Sequence, residues 1–184
     1  MNPLSHIQAL MSADARRWEI LQHVRDLRLP DCWVAAGFIR CAVWDHLHGH
    51  APSPLPTDID VIWFDPDNPL PERDFELEAR LLNADNTLNW SVKNQARMHL
   101  RNGDRPYESA TGAMAYWPDT ATAVAVRLSA SGEVEVAAPF GLDDLFDLVV
   151  RPAGRFRDEK RQLFLKRLYS KQWLTKWPGL TVLD

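Results

Sequence analysis

The stretch from Cys32 to Phe64 restricts the fold more than any other part of the chain. Cys32-Trp33-Val34-Ala35-Ala36 is a short apolar run that reads as a buried strand. Gly37 follows, and Ile39, Val43 and Leu47 then recur four apart, which is a helix that Gly49 closes. Between His50 and Thr57, prolines occupy positions 52, 54 and 56, so this segment is an extended loop. Asp58 to Phe64 reads as a second strand. Alternate residues of a strand share a face, so Asp58 and Asp60 project together. Two adjacent carboxylates repel unless a cation lies between them, and oxygen ligands so spaced suit hard Mg²⁺ or Mn²⁺. A glycine at a strand-to-helix junction lets backbone N–H groups approach an anion at the helix N-terminus.

The rest of the chain mixes both periodicities. Ser12 to Leu29 carries Trp18, Leu21, Val24 and Leu27 at helical spacing, with Ser12 as cap and Pro30 as stop. A helix is expected over Glu72–Leu82, with Glu76 and Arg80 paired, and a strand over Leu88–Met98 before the Asn102-Gly103 turn. Thr122–Leu128 and Glu133–Ala138 form a hairpin across Ser129-Ala130-Ser131-Gly132, and helices follow near Leu142–Val150 and Phe156–Trp173. These elements predict an α+β fold, with a mixed or antiparallel sheet flanked by helices and further helices at the C-terminal end.

Composition limits the classes of function. The 184 residues suit one domain, with residues 12–150 as core and 151–184 as a basic helical extension. Residues 1–150 hold 12 Lys+Arg against 22 Asp+Glu, whereas residues 151–184 hold 9 against 3. An acidic body with a basic tail suits metal and phosphate chemistry, and a solvated basic helix accounts for the tail equally well. No apolar run approaches the ~20 residues of a membrane span, and Met1–Leu10 lacks a signal peptide's charged start. Two cysteines, Cys32 and Cys41, build neither a disulfide framework nor a four-cysteine zinc site. A cytoplasmic bacterial-type protein is the simplest expectation, with no obligate protein partner.

The strand, Ala36-Gly37-Phe38 turn, helix and Asp58-Ile59-Asp60 together resemble the nucleotidyltransferase superfamily that includes polymerase beta and the CCA-adding enzymes. Arg40, three residues beyond Gly37, matches the Gly-x-x-Arg form of the CCA-adding branch, while the second small residue of the usual turn is replaced by Phe38. Trp90 to His99, Trp117-Pro118 and Ala138-Pro139-Phe140-Gly141-Leu142-Asp143-Asp144-Leu145-Phe146 are similar to uncharacterised bacterial nucleotidyltransferase-like proteins. The resemblance implies Mg²⁺-assisted transfer of a nucleoside monophosphate from an NTP to a hydroxyl acceptor, a small molecule or an RNA end. It implies Asp58 and Asp60 as catalytic metal ligands and Gly37, Phe38, Arg40 and Lys93 as nucleotide-binding residues. Superfamily members carry a third carboxylate on a later strand. Glu135, deeper in the hairpin than Glu133, is the expected one, with Asp143 and Asp144 as alternatives.

Other features have plainer readings. His46, His48 and His50 are expected to splay at a helix end rather than bind zinc. Lys93, Asn94 and Arg97 either line a polar groove or reflect ordinary strand alternation. Trp18, Trp33, Trp44 and Trp63 are expected in the core, leaving Trp90, Trp117 or Trp177 to stack on a base. A catalytically silent nucleotide-binding protein and an RNA-binding module acting through the basic C-terminal helix are the competing functions.

Overall fold

The computed structural model describes residues 2–183. Five strands form one mixed sheet: β1 (Trp33–Ala35), β2 (Ile59–Trp63), β3 (Trp90–Asn94), β4 (Ala125–Leu128) and β5 (Val134–Ala137). Their order is β3-β2-β1-β4-β5; β2 and β3 run parallel and the other neighbours antiparallel. The α+β expectation holds.

The register explains how the two faces differ. Val92, Val61, Val34, Val126 and Val136 are successive partners, one valine per strand across the whole sheet. The first four are essentially inaccessible and pack in the main core. Over them lie α1 (Pro3–Ala13), α2 (Ala15–Arg25), α3 (Gly37–Leu47) and α4 (Pro71–Ala84), which contribute Ile7, Ile20, Phe38 and Leu77. The next row on the opposite face is Ser91, Asp60, Ala35, Ala125 and Ala137. Its small side chains let α6 (Ala110–Met114) approach closely, and Ala110, Met114 and Trp117 form a second apolar cluster there with Trp33 and Ile62.

Several boundaries differ from the sequence expectation, each for a local reason. The first predicted helix is two: α1 ends at Ala13, and Asp14 rather than Ser12 caps α2 by accepting from the Arg16 and Arg17 amides at 3.0 Å. The 88–98 strand stops at Asn94, whose side chain accepts from the Ala96 amide and starts α5 (Gln95–Asn102), and Gly103 ends that helix in the left-handed region. After α7 (Asp143–Phe146), Val149–Val150 is β6, parallel to β7 (Thr181–Val182). The last predicted helix is a 3₁₀ turn (Gly154–Arg157), α8 (Arg161–Ser170) and α9 (Trp173–Lys176). Glu76 pairs with Arg73 at 2.8 Å rather than with Arg80. Phe164, Leu168, Trp173 and Trp177 are buried in the main core, so residues 151–183 pack as part of the body.

Candidate active site

Asp58 and Asp60 stand at the entry of β2, half-buried, on the wall of a cleft that has two lobes. Ala36, Asp60 and Arg167 border both lobes. One, of about 380 Å³, also has Gly37, Arg40, Asp58, Lys171 and Lys176 on its wall. The other, of about 250 Å³, runs past Ser91, Lys93, Gln95, Asn102, Trp117 and Thr122.

Neither carboxylate is committed to a hydrogen bond or to an ion pair within 4.0 Å among the described residues. Burial first, and then the neighbouring Asp58 charge, raise the pKa of Asp60 above that of an ordinary carboxyl; Arg167, Arg40 and Lys171 pull the other way. β2 starts at Ile59, one residue later than the sequence suggests, so Asp58 lies just before the strand and Asp60 within it. Two uncommitted carboxylates so placed fit a hard divalent cation that takes its remaining ligands from phosphate and water. No group of three or more His, Cys, Asp or Glu converges on a metal position among the described residues.

The structure does not bring Glu135 to this pair. It shares the open face with Asp60, but three inter-strand spacings separate their strands, roughly 14 Å. The alanine row lies between them under Trp117 and Met114. Glu135 is instead the register partner of Arg127, whose Nε donates to it at 2.6 Å while the guanidinium stacks 4.0 Å over Trp33. Of the alternatives, Asp144 is committed and Asp143 is not brought to the pair. Asp144 accepts from Thr120 and from Arg151 at 2.9 and 3.0 Å, and Asp143 stands in the first turn of α7, capped by Leu142 rather than by either aspartate.

The turn before α3 is strained. Ala36 has φ 58° and ψ −120°, a conformation suited to glycine, and its carbonyl accepts from the Ile39 and Arg40 amides. Gly37 takes the first helical position, where an added Cβ would meet Pro56 Cβ at 3.3 Å. The first amides of α3, those of Gly37 and Phe38, have no acceptor within their own helix and belong to its positive end. The Phe38 ring is fully buried in the main core, so only its backbone is available to a ligand.

The two predicted cations differ in freedom. Arg40 is 6% exposed; one guanidinium nitrogen donates to Thr122 at 2.8 Å, and its Nε has no partner. Lys93 lies on the cleft wall but is held by Glu78 at 2.9 Å. Asn94 and Arg97 are not part of the cleft: Asn94 caps α5 and bonds to Asp65 and Asn68, and Arg97 pairs with Asp74. Trp90, Trp173 and Trp177 are buried, the last two in the wall of the first lobe, and the less buried Trp117 borders the second. Of the three histidines, His46 turns away to meet His6, while the His48 and His50 rings stay 5.6 Å apart, His48 accepting from the Gly179 amide and His50 facing Asp45.

Supporting residues went unrecognised in the sequence. Arg17, 1% exposed, donates to the Ser53 carbonyl and hydroxyl and to the Pro54 carbonyl at 3.1–3.2 Å, and so fixes the proline loop that delivers Asp58. Asp45 receives Ser53 Oγ at 2.8 Å. A charge on an otherwise apolar helix face was their only signal. Arg167 and Lys171 were visible only as members of a basic helix, yet α8 and the residue that caps its end place them on the wall beside Asp60.

Comparison with known proteins agrees with this geometry. Residues 22–182 match the family model described as Nucleotidyltransferase. A solved protein whose NMR structure was reported to reveal a CCA-adding enzyme head domain is 35% identical, with a TM-score of 0.86 over 98% of this chain and 95% of the other. The Thermotoga maritima CCA-adding enzyme complexed with tRNA shares the fold at 15% identity and a TM-score of 0.58, covering 98% of this chain and 42% of that one. A CCA-adding enzyme complexed with CTP gives 14% identity and 0.57, with 98% and 43% coverage. The chain thus spans about two fifths of those enzymes' length. No curated protein matches it. With its strand-turn-helix and Asp-x-Asp strand in the expected relation, the chain belongs to the nucleotidyltransferase family.

Proposed function

We propose that the protein transfers a nucleoside monophosphate from an NTP to a hydroxyl acceptor with release of pyrophosphate, using Mg²⁺ or Mn²⁺ held by Asp58 and Asp60. The observation that carries this reading is the uncommitted carboxylate pair on a cleft walled by cations. A bound divalent cation would neutralise triphosphate charge and acidify the acceptor hydroxyl. The protein groups position the reactants. The Gly37 and Phe38 amides and Arg40 face the phosphates, and Lys93 borders the second lobe. The acceptor oxygen forms its bond to the α-phosphorus as the bond to pyrophosphate breaks, so no covalent enzyme intermediate is needed. The second lobe, at about 250 Å³, suits a small-molecule acceptor or a single RNA end. The solved complexes of CCA-adding enzymes with CTP and tRNA support the NTP and leave an RNA end as one acceptor class. The cytoplasm supplies both.

A second reading, nucleotide binding without transfer, is favoured by one observation: no third carboxylate joins the pair among the described residues. One experiment separates the two. Mg²⁺ with NTP should raise the melting temperature, by about 2.7 kcal/mol of stabilisation at a hundredfold excess over Kd, and Asp58→Asn with Asp60→Asn should abolish the gain. Transfer of α-³²P-labelled nucleotide to a mixed RNA and metabolite pool then reports catalysis. Stabilisation without labelling selects the silent reading, and equal stabilisation of the double variant rejects the site.

A further inference from the structure

The C-terminal segment brings a second guanidinium to the cleft that the turn and the Asp-x-Asp strand do not account for. Arg40 lies 4.3 Å from the centroid of the Trp173 ring and Arg167 lies 5.4 Å from it, so one buried indole carries both arginines. Cation–π contact with tryptophan holds a guanidinium in place without using its N–H donors. Neither arginine is neutralised by a hydrogen-bonded carboxylate. Arg40 bonds to a hydroxyl, and the nearest carboxylate oxygen to Arg167 Nε is Asp119 Oδ2 at 3.7 Å, beyond hydrogen-bond range. The Nε atoms of both and Asp119 Oδ2 are buried without hydrogen-bond partners.

Charge along the lobe points the same way. Arg40, Arg167, Lys171 and Lys176 face it with Asp58 and Asp60, and Asp119 pairs with Arg167 at 3.7 Å, which leaves one more cation than carboxylates. Lys176 is partly drawn off by Asp45 at 3.8 Å. Two like charges brought together over one ring repel. Burial, with Arg40 adding to it and Asp119 opposing, holds the Arg167 guanidinium below its ordinary pKa. Such a pair is relieved by an anion that accepts from both, and a polyphosphate offers several charged oxygens to do so.

We propose that Arg167 joins Arg40 in a metal-independent anion site for the pyrophosphate moiety, so that α8 and α9 hold the leaving end of the nucleotide while the Asp58–Asp60 strand serves its α-phosphate end. Arg167 is a positioning residue in this assignment, which rests on the reading that an NTP occupies the cleft. It adds that free pyrophosphate, the released product, binds here on its own and competes with NTP.

The test uses the full chain in EDTA, titrated with inorganic pyrophosphate by calorimetry. Wild type should bind, and Arg167→Gln should raise Kd at least about tenfold, the loss of one charge-assisted hydrogen bond. Arg167→Lys keeps the charge but not the fork and should fall between them. Arg25→Gln, on an exposed arginine of α2 paired with Asp26, should leave Kd within twofold of wild type. Melting curves check that each variant is folded, and Arg167→Lys carries the comparison should the glutamine variant fail to fold. No binding by wild type, or a folded Arg167 variant that binds as wild type does, overturns the proposal. Failure of the nucleotidyltransferase reading looks different: pyrophosphate binding persists while labelled transfer is absent from wild type.

Discussion

The indole N–H of Trp177 donates to Asp45 Oδ1 at 2.7 Å across 132 residues of sequence, in a buried setting. The same carboxylate receives Ser53 Oγ, so one aspartate on α3 ties down both the C-terminal segment and the proline loop. Asp45→Ala strands one buried and one half-buried donor and should cost about 3 kcal/mol in urea denaturation, whereas Trp177→Phe loses a single bond and should cost about 1 kcal/mol from the polar term. Equal losses from the two variants would contradict this division.

The strained residue of the turn gives the opposite sign. Ala36 holds a backbone conformation that costs a side-chain-bearing residue about 1–3 kcal/mol. Glycine relieves it and gives back part of the gain as extra freedom of the unfolded chain. Ala36→Gly should therefore stabilise the protein by about 1 kcal/mol, read as a higher urea midpoint at unchanged slope. A lower midpoint would show that the methyl group makes packing contacts worth more than the strain.

Glu135 is predicted to be dispensable. Its carboxylate serves Arg127 on a half-exposed hairpin, and an exposed pair of this kind is worth at most about 1 kcal/mol. Glu135→Gln should keep the full Mg²⁺–NTP stabilisation and transfer nucleotide within about threefold of wild type. A collapse of transfer with binding intact would return Glu135 to the reacting centre and require the hairpin to move towards β2.

Asp144 sets a pH dependence. Its hydrogen bonds from Arg151, and then Thr120, hold its pKa below the ordinary 3.8. A depressed carboxyl contributes stability above its unfolded value and loses it as pH falls through the folded one. The stability difference between wild type and Asp144→Asn should thus be present at pH 7 and shrink below pH 3.8. A difference that is constant from pH 7 to pH 2.5 would exclude a role for the charge.

The fold was legible wherever side-chain periodicity was short and clean. Val126 and Val136 alternate with polar or small neighbours, and the hairpin turn at Gly132 followed directly, while β1 and β2 showed as short apolar runs. The placing of Asp58 and Asp60 on one cleft wall could be read because alternate residues of an extended segment share a face. Boundaries set by a single cap were hidden: Asn94 looks like one more strand residue until its side chain turns back to the Ala96 amide. Contacts made through sequence-distant aromatic rings were hidden as well. Nothing in the basic pattern of 155–171 distinguishes Arg167, beside Asp60, from Lys166, on the exposed side of the same helix. Glu135 was misplaced for a related reason, since sharing a face says nothing of how many strands intervene.

The valine row and the alanine row that cross the sheet are adjacent in register, offset by a single residue. Sliding β2 by one position against β1 and β3 would bring Asp60 into the valine layer and push Val61 out into the cleft. A lone carboxylate driven into that dry layer costs several kcal/mol, far more than slippage of a purely apolar strand. Asp60 therefore also serves the folding chain as an alignment peg, and a variant that neutralises it loses a guard against mispaired strands along with the proposed metal-binding carboxylate.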